Sequence, residues 1–544
     1  MPVLLIILDG FGEGKAYSGN AVTLAKTPTL NALKKKYPWT RLGASGNAVG
    51  IPEGTQGGSE VGHFTIGAGR RVFQSLEAIN RSIQDKSFFE KPALVEACER
   101  TSRAKSAGAP QRGADYAYAR RLPRRYVEAP SLPKAAALHL LGMISDQGVH
   151  SDIRHLFALL ELAKQQHVEK VYIHAITDGR DVPERSAANF ITQIQKKISE
   201  LGTSKTAKIA TIIGRYFAMD RDSNWDRTKK AYDLYTLGRG VRETDPLAAV
   251  KNAYNRGIET DYYIDPIILD EHGVIKDKDS VVFWNFRTDR ARQLTWAFTG
   301  EIDAKNGHRL GFTPEKIVHP YFVCIGPYSE TAPVVFPTPV IKNNLGEVIS
   351  NAGLTQFRIA ETEKYAHVTY FLNSQIETPF SGEDRLMINS PKCASYAEKP
   401  EMSAHEITDA LLPRLAKKNY ALIVLNFANC DLVGHSGDLK ASIKAVEVVD
   451  ECIGRIIPVA LKNNYTTLIT GDHGNVEYKI YEKDGTPCPS HTTNPVPFIV
   501  VGDENQKLKI SSEVKNPELK NIAPTILKIM GIPKPSEMTG ESLV

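Results

Sequence analysis

The chain has 544 residues, a net charge of +5 at pH 7, and 42% hydrophobic against 24% charged residues. That length exceeds one ordinary core, so two or more domains of a soluble globular protein are expected. The charge is too small for this size to argue for nucleic acid, and six cysteines without a C-x-x-C pair argue against a disulfide framework or a thiolate zinc site and suit a reducing compartment.

The first element is the apolar run in "MPVLLIILDGFG", residues 1–12. It is short, broken by Asp9 and Gly10 and lacks a basic flank, so it reads as a strand rather than a signal peptide or membrane span. No other run reaches membrane length, and a cytoplasmic location is expected. "EGTQGGSEVGH", residues 53–63, follows with Ser59 between glycine and glutamate. Alone it favours a polar turn over a nucleophile with an uncrowded approach. Residues 101–134 are rich in Arg, Ala, Gly and Pro and poor in large aliphatics, with no helical or alternating period. They cannot offset their ordering entropy by burial, so a mobile or loosely packed surface excursion outside catalysis is expected.

Beyond it, short apolar runs ending in Gly and charged residues alternate with helical patterns. The runs are "LHLLGMISDQGVHS", "KVYIHAITDGRDVPE", "KIATIIGRYFAMDRD" and "SVVFWNFRTDRARQ", then "YALIVLNFANCDLVGH", "TTLITGDHGN" and "PVPFIVVG". Four to seven apolar residues without alternation read as strands buried on both faces, hence parallel sheet. The helical stretches include "IRHLFALLELAKQQ", "SAANFITQIQKKISEL", "IKAVEVVDECIGRIIPVALKN" and "NIAPTILKIMG". The alternation implies an α/β architecture.

Ligands of such sheets gather beyond the carboxyl ends of the strands. The outer segments place acids and histidines there, the middle ones mostly arginines. Two domains are therefore expected, the outer built from residues 1–72 and 337–544 and the inner inserted as residues 73–336, with "VVFPTPV" as a crossing segment.

The outer constellation is Asp9, Asp431, His435, Asp472, His473 and His491. Asp431 and His435 are four apart, so one helical turn aims both at one point. Carboxylates with imidazoles and no thiolate suit Mn²⁺ or Zn²⁺, with Mg²⁺ less favoured. Three crowded carboxylates call for cations; two divalent ions would clamp a displacement at phosphorus, and one of them beside Ser59 would lower its pKa. The inner constellation is Arg180, Asp181, Arg215, Arg221, Arg287 and Arg290, with His150 and Lys364. Guanidinium forks match carboxylate and phosphate oxygens, so these describe a pocket for a small polyanion, with Asp181 able to exchange a proton with a substrate hydroxyl.

The stretches "LLIILDGFG", "GGSEVGH", "TDGRDVPERSA", "GRYFAMDRD", "WNFRTDRARQL", "RIAETEKYAHVTYFLN", "NFANCDLVGHSG", "TGDHGNVE" and "SHTTNPVPFIV" run in one order over nearly the whole chain. Together they resemble the phosphoglycerate mutases that need no bisphosphoglycerate, members of the alkaline phosphatase superfamily. The resemblance implies an alkaline-phosphatase-like, mostly parallel sheet domain from both chain ends with an inserted α/β transferase domain. It implies two Mn²⁺ ions (Co²⁺, Zn²⁺ or Mg²⁺ as alternatives), no 2,3-bisphosphoglycerate, and interconversion of 3- and 2-phosphoglycerate in glycolysis and gluconeogenesis. Ser59 looks like the phosphorylated nucleophile. Asp9, Ser59, Asp472 and His473 look like the ligands of one ion, and Asp431, His435 and His491 of the other. His150, Arg180, Asp181, Arg215, Arg221, Arg287, Arg290 and Lys364 look like substrate contacts, with Asp181 shuttling the proton and Lys364 countering developing charge. A monomer acting on a small-molecule substrate, with neither nucleic acid nor membrane as partner, is expected.

Three features depart from the family pattern. Gly58 replaces an Asn before the serine, Gln147 and Asp152 replace a glycine and a histidine around His150, and residues 101–134 have no counterpart. Gln147 is expected to disturb a positive-φ turn beside His150. A rival within the superfamily is a simple phosphatase or another phosphomutase, against which the arginine-rich middle argues. A nucleic-acid-binding role for "YARRLPRR" finds no continuation of its basic stripe.

Overall fold

A computed structural model describes residues 1–102, 136–301, 310–503 and 508–544. All but the first two residues of the basic stretch 101–134 lie outside the described residues, as does the surface excursion expected there. The chain divides into two compact units, Met1–Gln74 with Val340–Val544, and Ser75–Pro339.

The first unit is built on a seven-stranded sheet in the order Glu383–Ile388, Gln356–Glu361, Leu422–Phe427, Val3–Leu8, Thr466–Gly471, Val496–Val501 and Trp39–Leu42. The first five are mutually parallel. Val3–Leu8 lies at the centre and is wholly buried, which accounts for its unbroken apolar run. Leu4, Ile6 and Leu8 enter the core on one face, and Val3, Leu5 and Ile7 the core on the other. The long helix Leu439–Lys462 covers the first face with Val446, Val449, Ile453 and Ile456, and Asp438 caps its start by accepting the Ala441 amide.

Val496–Val501 departs from the expected parallel pattern and runs antiparallel to both neighbours. No helix crosses the sheet between Gly471 and Val496, so the chain stays at the carboxyl end and re-enters reversed. That return keeps His491 at the same end of the sheet as Asp9 and Asp472.

The second unit has its own seven-stranded sheet, in the order Val241–Arg242, Ile267–Ile268, Ala207–Gly214, Val171–Thr177, Leu138–Ile144, Ser280–Phe283 and Tyr321–Cys324. Its pairings are parallel except that between Ala207–Gly214 and Ile267–Ile268. Helices Ile153–Gln165 and Ala187–Glu200 bury Leu156, Leu159, Ile191 and Ile194 in one of its cores. Asp152 starts the first of these, accepting the Arg154 amide at 2.8 Å and pairing with its guanidinium. An acid at this position therefore has a local reason, as a helix cap.

Because Ile6 is completely buried in the central strand, Ile6→Ala should lower stability by about 2–5 kcal/mol. Urea unfolding of the unit that carries it measures this, and a loss under about 1 kcal/mol would contradict the packing described.

Candidate active site

Strand register brings the first constellation together. Leu8 is level with Phe427 on one side and Gly471 on the other, so Asp9 and Asp472 leave adjacent strands at one height. The next strand over is followed by the short helix Asn429–Gly434, which turns Asp431 back toward them. Gly10 makes this possible: it sits at φ +73°, and a Cβ there would lie 2.7 Å from the Asp431 Cα.

Ser59 opens the helix Ser59–Ala68. A Cβ on Gly62 would come within 2.7 Å of the Asp472 carbonyl, so a glycine there lets the helix lie against the aspartate loop. Gly58 is different. Its backbone is extended, and a Cβ would meet only His491 at 3.7 Å, so nothing steric demands glycine before the serine.

The Ser59 hydroxyl donates to Asp9 Oδ1 at 2.9 Å and lies 3.1 Å from His473 Nε2. Lys364, expected among the arginines of the inner constellation, belongs instead to the first unit: from the helix Thr362–Ala366 after the strand Gln356–Glu361 it donates to Ser59 Oγ, Asp9 Oδ1 and Asp431 Oδ2 at 2.6, 2.7 and 2.6 Å. Asp431 Oδ1 faces His491 Nε2 at 3.1 Å and His435 Nε2 at 3.3 Å. Asp472 Oδ1 accepts the amides of Gly10 and His473, whereas Oδ2 is buried without a hydrogen bond, 3.2 Å from His63 Nδ1.

Burial opposes the charges of Asp9 and Asp431, yet Lys364 holds both carboxyls well below the usual range, helped by neighbouring histidines. Burial likewise opposes the Lys364 ammonium, but Asp9, Asp431 and Asp472 raise it above its ordinary value. His473 is pushed up to about 10, since Asp472, Asp9 and Asp431 outweigh its desolvation. Three groups converge closely enough to hold a metal ion: Asp431, His435 and His491; Asp9, His63 and Asp472; and Asp9, Asp431 and His473. The donor set of carboxylates and imidazoles, together with the unpartnered Asp472 oxygen, fits divalent cations. His63 Nδ1 donates to the Ser59 carbonyl at 2.9 Å and its Nε2 accepts from the Asn426 amide at 3.0 Å, which also donates to Asp9 Oδ2 at 2.8 Å.

In the second unit, Thr177 is level with Ile144 and Gly214, which brings three loops to one edge. Asp178 is the hub. Its Oδ1 accepts Arg215 Nη1 at 2.6 Å and the amides of Arg180 and Asp181, while Oδ2 accepts the Ser145 hydroxyl at 2.8 Å. Arg215 Nη1 also reaches Asp181 Oδ2 at 2.6 Å. Asp289 pairs with Arg221 at 2.9 Å and Arg287 at 3.3 Å, and Arg290 donates to the Met219 carbonyl. Burial, then Arg221 and Arg215, lower the Arg290 pKa, so these guanidiniums feel one another. Arg180 is exposed and joins through its backbone.

His150 lies 4.0 Å from Asp181 and 3.8 Å from Asp289, and burial followed by Arg215 pushes it down to about 4, leaving a neutral ring at pH 7. His150 Nδ1 and Arg215 Nε are buried without hydrogen-bond partners, which marks donor capacity unused by the protein. Near this histidine the left-handed residue is Gly148, at φ +70°, and not Gln147, whose side chain donates to Asp146. The expected disturbance of the turn does not arise, because glycine already occupies the residue that needs it.

Sequence reasoning passed over Asp178, Asp289, Asn426, Asn475 and Glu477. Asp178 and Asp289 stood inside motifs already singled out, "TDGRD" and "TDRAR", beside arginines they turn out to orient. Glu477 accepts the amides of Gly12 and Asn475 and the side chains of Thr492 and Asn494, and Asn475 donates to Asp431 Oδ1 at 3.0 Å. In sequence, neither differs from ordinary turn chemistry.

A protein-family model described as the Metalloenzyme superfamily matches residues 1–534. The chain is 48% identical over 552 residues to the 2,3-bisphosphoglycerate-independent phosphoglycerate mutase of Moorella thermoacetica, covering all of this chain and 98% of that protein. It is equally 48% identical over 552 residues to mutase 1 of that description from Methanosarcina acetivorans, with the same coverage. Among solved structures it resembles Leishmania mexicana phosphoglycerate mutase, crystallised at low cobalt concentration, with TM-score 0.58 and 28% identity over all of this chain and 97% of that one. The chain belongs to the metalloenzyme superfamily and, within it, to the 2,3-bisphosphoglycerate-independent phosphoglycerate mutases.

Proposed function

We propose that this enzyme interconverts 3-phosphoglycerate and 2-phosphoglycerate through a phosphoserine on Ser59, with two divalent ions, Mn²⁺ first among them, and without bisphosphoglycerate. The observation that carries the reading is the environment of Ser59 Oγ, which touches Asp9, Lys364 and His473 at 2.6–3.1 Å at the head of a helix. Asp9, Ser59, Asp472 and His473 would hold one ion, and Asp431, His435 and His491 the other. Bound there, divalent cations neutralise the crowded carboxylates, acidify the serine hydroxyl and screen the charge of the phosphoryl group.

The chain's own residues supply the rest. Ser59 Oγ, oriented by its hydrogen bond to Asp9 Oδ1 and with its proton already given up to solvent once the hydroxyl is acidified, forms a bond to phosphorus as the phosphorus–oxygen bond to glycerate breaks. The Lys364 ammonium, 2.6 Å from Oγ, opposes negative charge building on that oxygen. In the return step the other glycerate hydroxyl attacks the phosphoserine and the Ser59–phosphorus bond breaks. Asp181 gives a proton to the glycerate oxygen as it leaves and recovers one from the other hydroxyl as it attacks, while Ser59 leaves as the same oxyanion that entered, so the cycle is neutral overall. Arg215, Arg221, Arg287 and Arg290 bind the substrate's carboxylate and phosphate, and His150 donates as a neutral ring. A monomer in the cytoplasm belongs to the same reading. Among the described residues no helix is long and apolar enough to cross a membrane.

Ser59→Ala should remove at least about a thousandfold of the mutase rate in a coupled assay while leaving the melting temperature within a few degrees, because the neighbouring oxygens belong to carboxylates tied to Lys364 and do not replace its hydroxyl as nucleophile. Mass spectrometry of acid-quenched wild-type enzyme should find phosphate on Ser59, and phosphate on another residue would refute the assignment. Asp181→Asn should lower kcat by about 10²–10⁴-fold with KM changed much less, as expected of a proton relay. Equal losses in substrate affinity and turnover would make Asp181 a binding group only.

A further inference from the structure

After Asp472 and His473 the chain buries Asn475, Glu477 and Lys479 beside the turn that carries Asp431. Lys479 Nζ donates to the Gly434 carbonyl at 2.9 Å and to Asn475 Oδ1. Gly434 ends the helix Asn429–Gly434, whose last carbonyls have no partner within the helix, so the ammonium caps the element bearing Asp431. Asn475 Nδ2 donates to Asp431 Oδ1 at 3.0 Å, and the Asn475 amide is tied to Glu477 Oε2 at 2.8 Å. The fit is close, since a Cβ on Gly434 would stand 2.5 Å from Asn475 Oδ1.

The direction of this chain follows from donor chemistry. An ammonium offers only donors, whereas a carboxamide has an oxygen at one end and an NH₂ at the other. Facing Lys479, Asn475 must present its oxygen, which leaves the NH₂ for Asp431. Without the lysine nothing holds the amide oxygen, and the NH₂ keeps only its bonds to the Asp431 carboxylate and, at 3.3 Å, to the Asp431 carbonyl, so its aim at Oδ1 loosens.

We propose that Lys479 is a positioning residue that, acting through Asn475, fixes Asp431 Oδ1 toward His435 and His491 and so sets the metal affinity of that three-residue site. The inference rests on the metal reading above, but not on which reaction the enzyme performs. Groups that orient a ligating carboxylate from behind alter metal affinity by about 10–100-fold.

The test is calorimetric titration of the full chain, freed of metal, with Mn²⁺. Lys479→Met should weaken one of two Mn²⁺ sites by about 10–100-fold and leave the other within about threefold. Asn475→Ala should give the same site-selective loss, and the double variant should lose no more than the worse single variant, since both break one hydrogen-bond chain. Unchanged affinity at both sites, equal weakening of both, or additive losses in the double variant would each overturn the proposal. Should Lys479→Met fail to fold, Asn475→Ala carries the test by the same criteria. Wild-type enzyme that binds Mn²⁺ but does not convert 3-phosphoglycerate would overturn the mutase reading and leave this one standing. Wild-type enzyme that binds no Mn²⁺ would overturn both.

Discussion

Three carboxylates, Asp9, Asp431 and Asp472, are buried together at the end of one sheet, and the rest of the first unit is organised around keeping them there. Two like charges 4 Å apart repel by about 4 kcal/mol at an effective dielectric of 20, so three such groups need cations in their midst. Lys364 and His473 supply two, and each is itself driven toward its charged form by the carboxylates it touches. The register of three adjacent strands leaves the acids nowhere else to point. A serine hydroxyl set into this field, within 2.9 Å of one carboxylate and 2.6 Å of the ammonium, lies where negative charge on its oxygen is opposed by a buried cation.

The arginine-rich unit meets the opposite problem with the same economy. Its guanidiniums are held apart by Asp178, Asp181 and Asp289, which neutralise them and fix their directions. His150 Nδ1 and Arg215 Nε stay without hydrogen-bond partners among the described residues. Depression of His150 to about 4 keeps it neutral, so it can donate without adding to the positive charge.

Much of this was legible in the sequence because strands buried on both faces leave a distinct mark. Val3–Leu8 shows no alternation since each of its faces meets a separate core, and the residue after such a run is placed at the carboxyl end of the sheet by geometry alone. The spacing of Asp431 and His435 carried through to a 3.3 Å contact because a single helical turn is a local object. What was not legible is non-local or locally bland. The reversed strand Val496–Val501 depends on the absence of a crossover helix, which its own apolar run does not reveal. The unaffected turn at Gly148 depends on which of two neighbouring residues takes the left-handed conformation. Asn475, Glu477 and Lys479 act through partners up to 465 residues away in sequence, and in one dimension they look like any polar turn.

Divalent cations that complete the buried charge cluster are the requirement on which activity and stability of this site both depend. A ligand held by the folded state alone at a hundred times its Kd adds about 2.7 kcal/mol of stability. The decisive measurement is therefore paired: turnover of 3-phosphoglycerate with bisphosphoglycerate omitted, and the melting temperature, each with Mn²⁺ and after exhaustive chelation. Turnover with Mn²⁺ that vanishes on chelation together with a fall in melting temperature, both restored by Mn²⁺, is the predicted result. Turnover that survives chelation with melting unchanged, or that requires added bisphosphoglycerate, would contradict it.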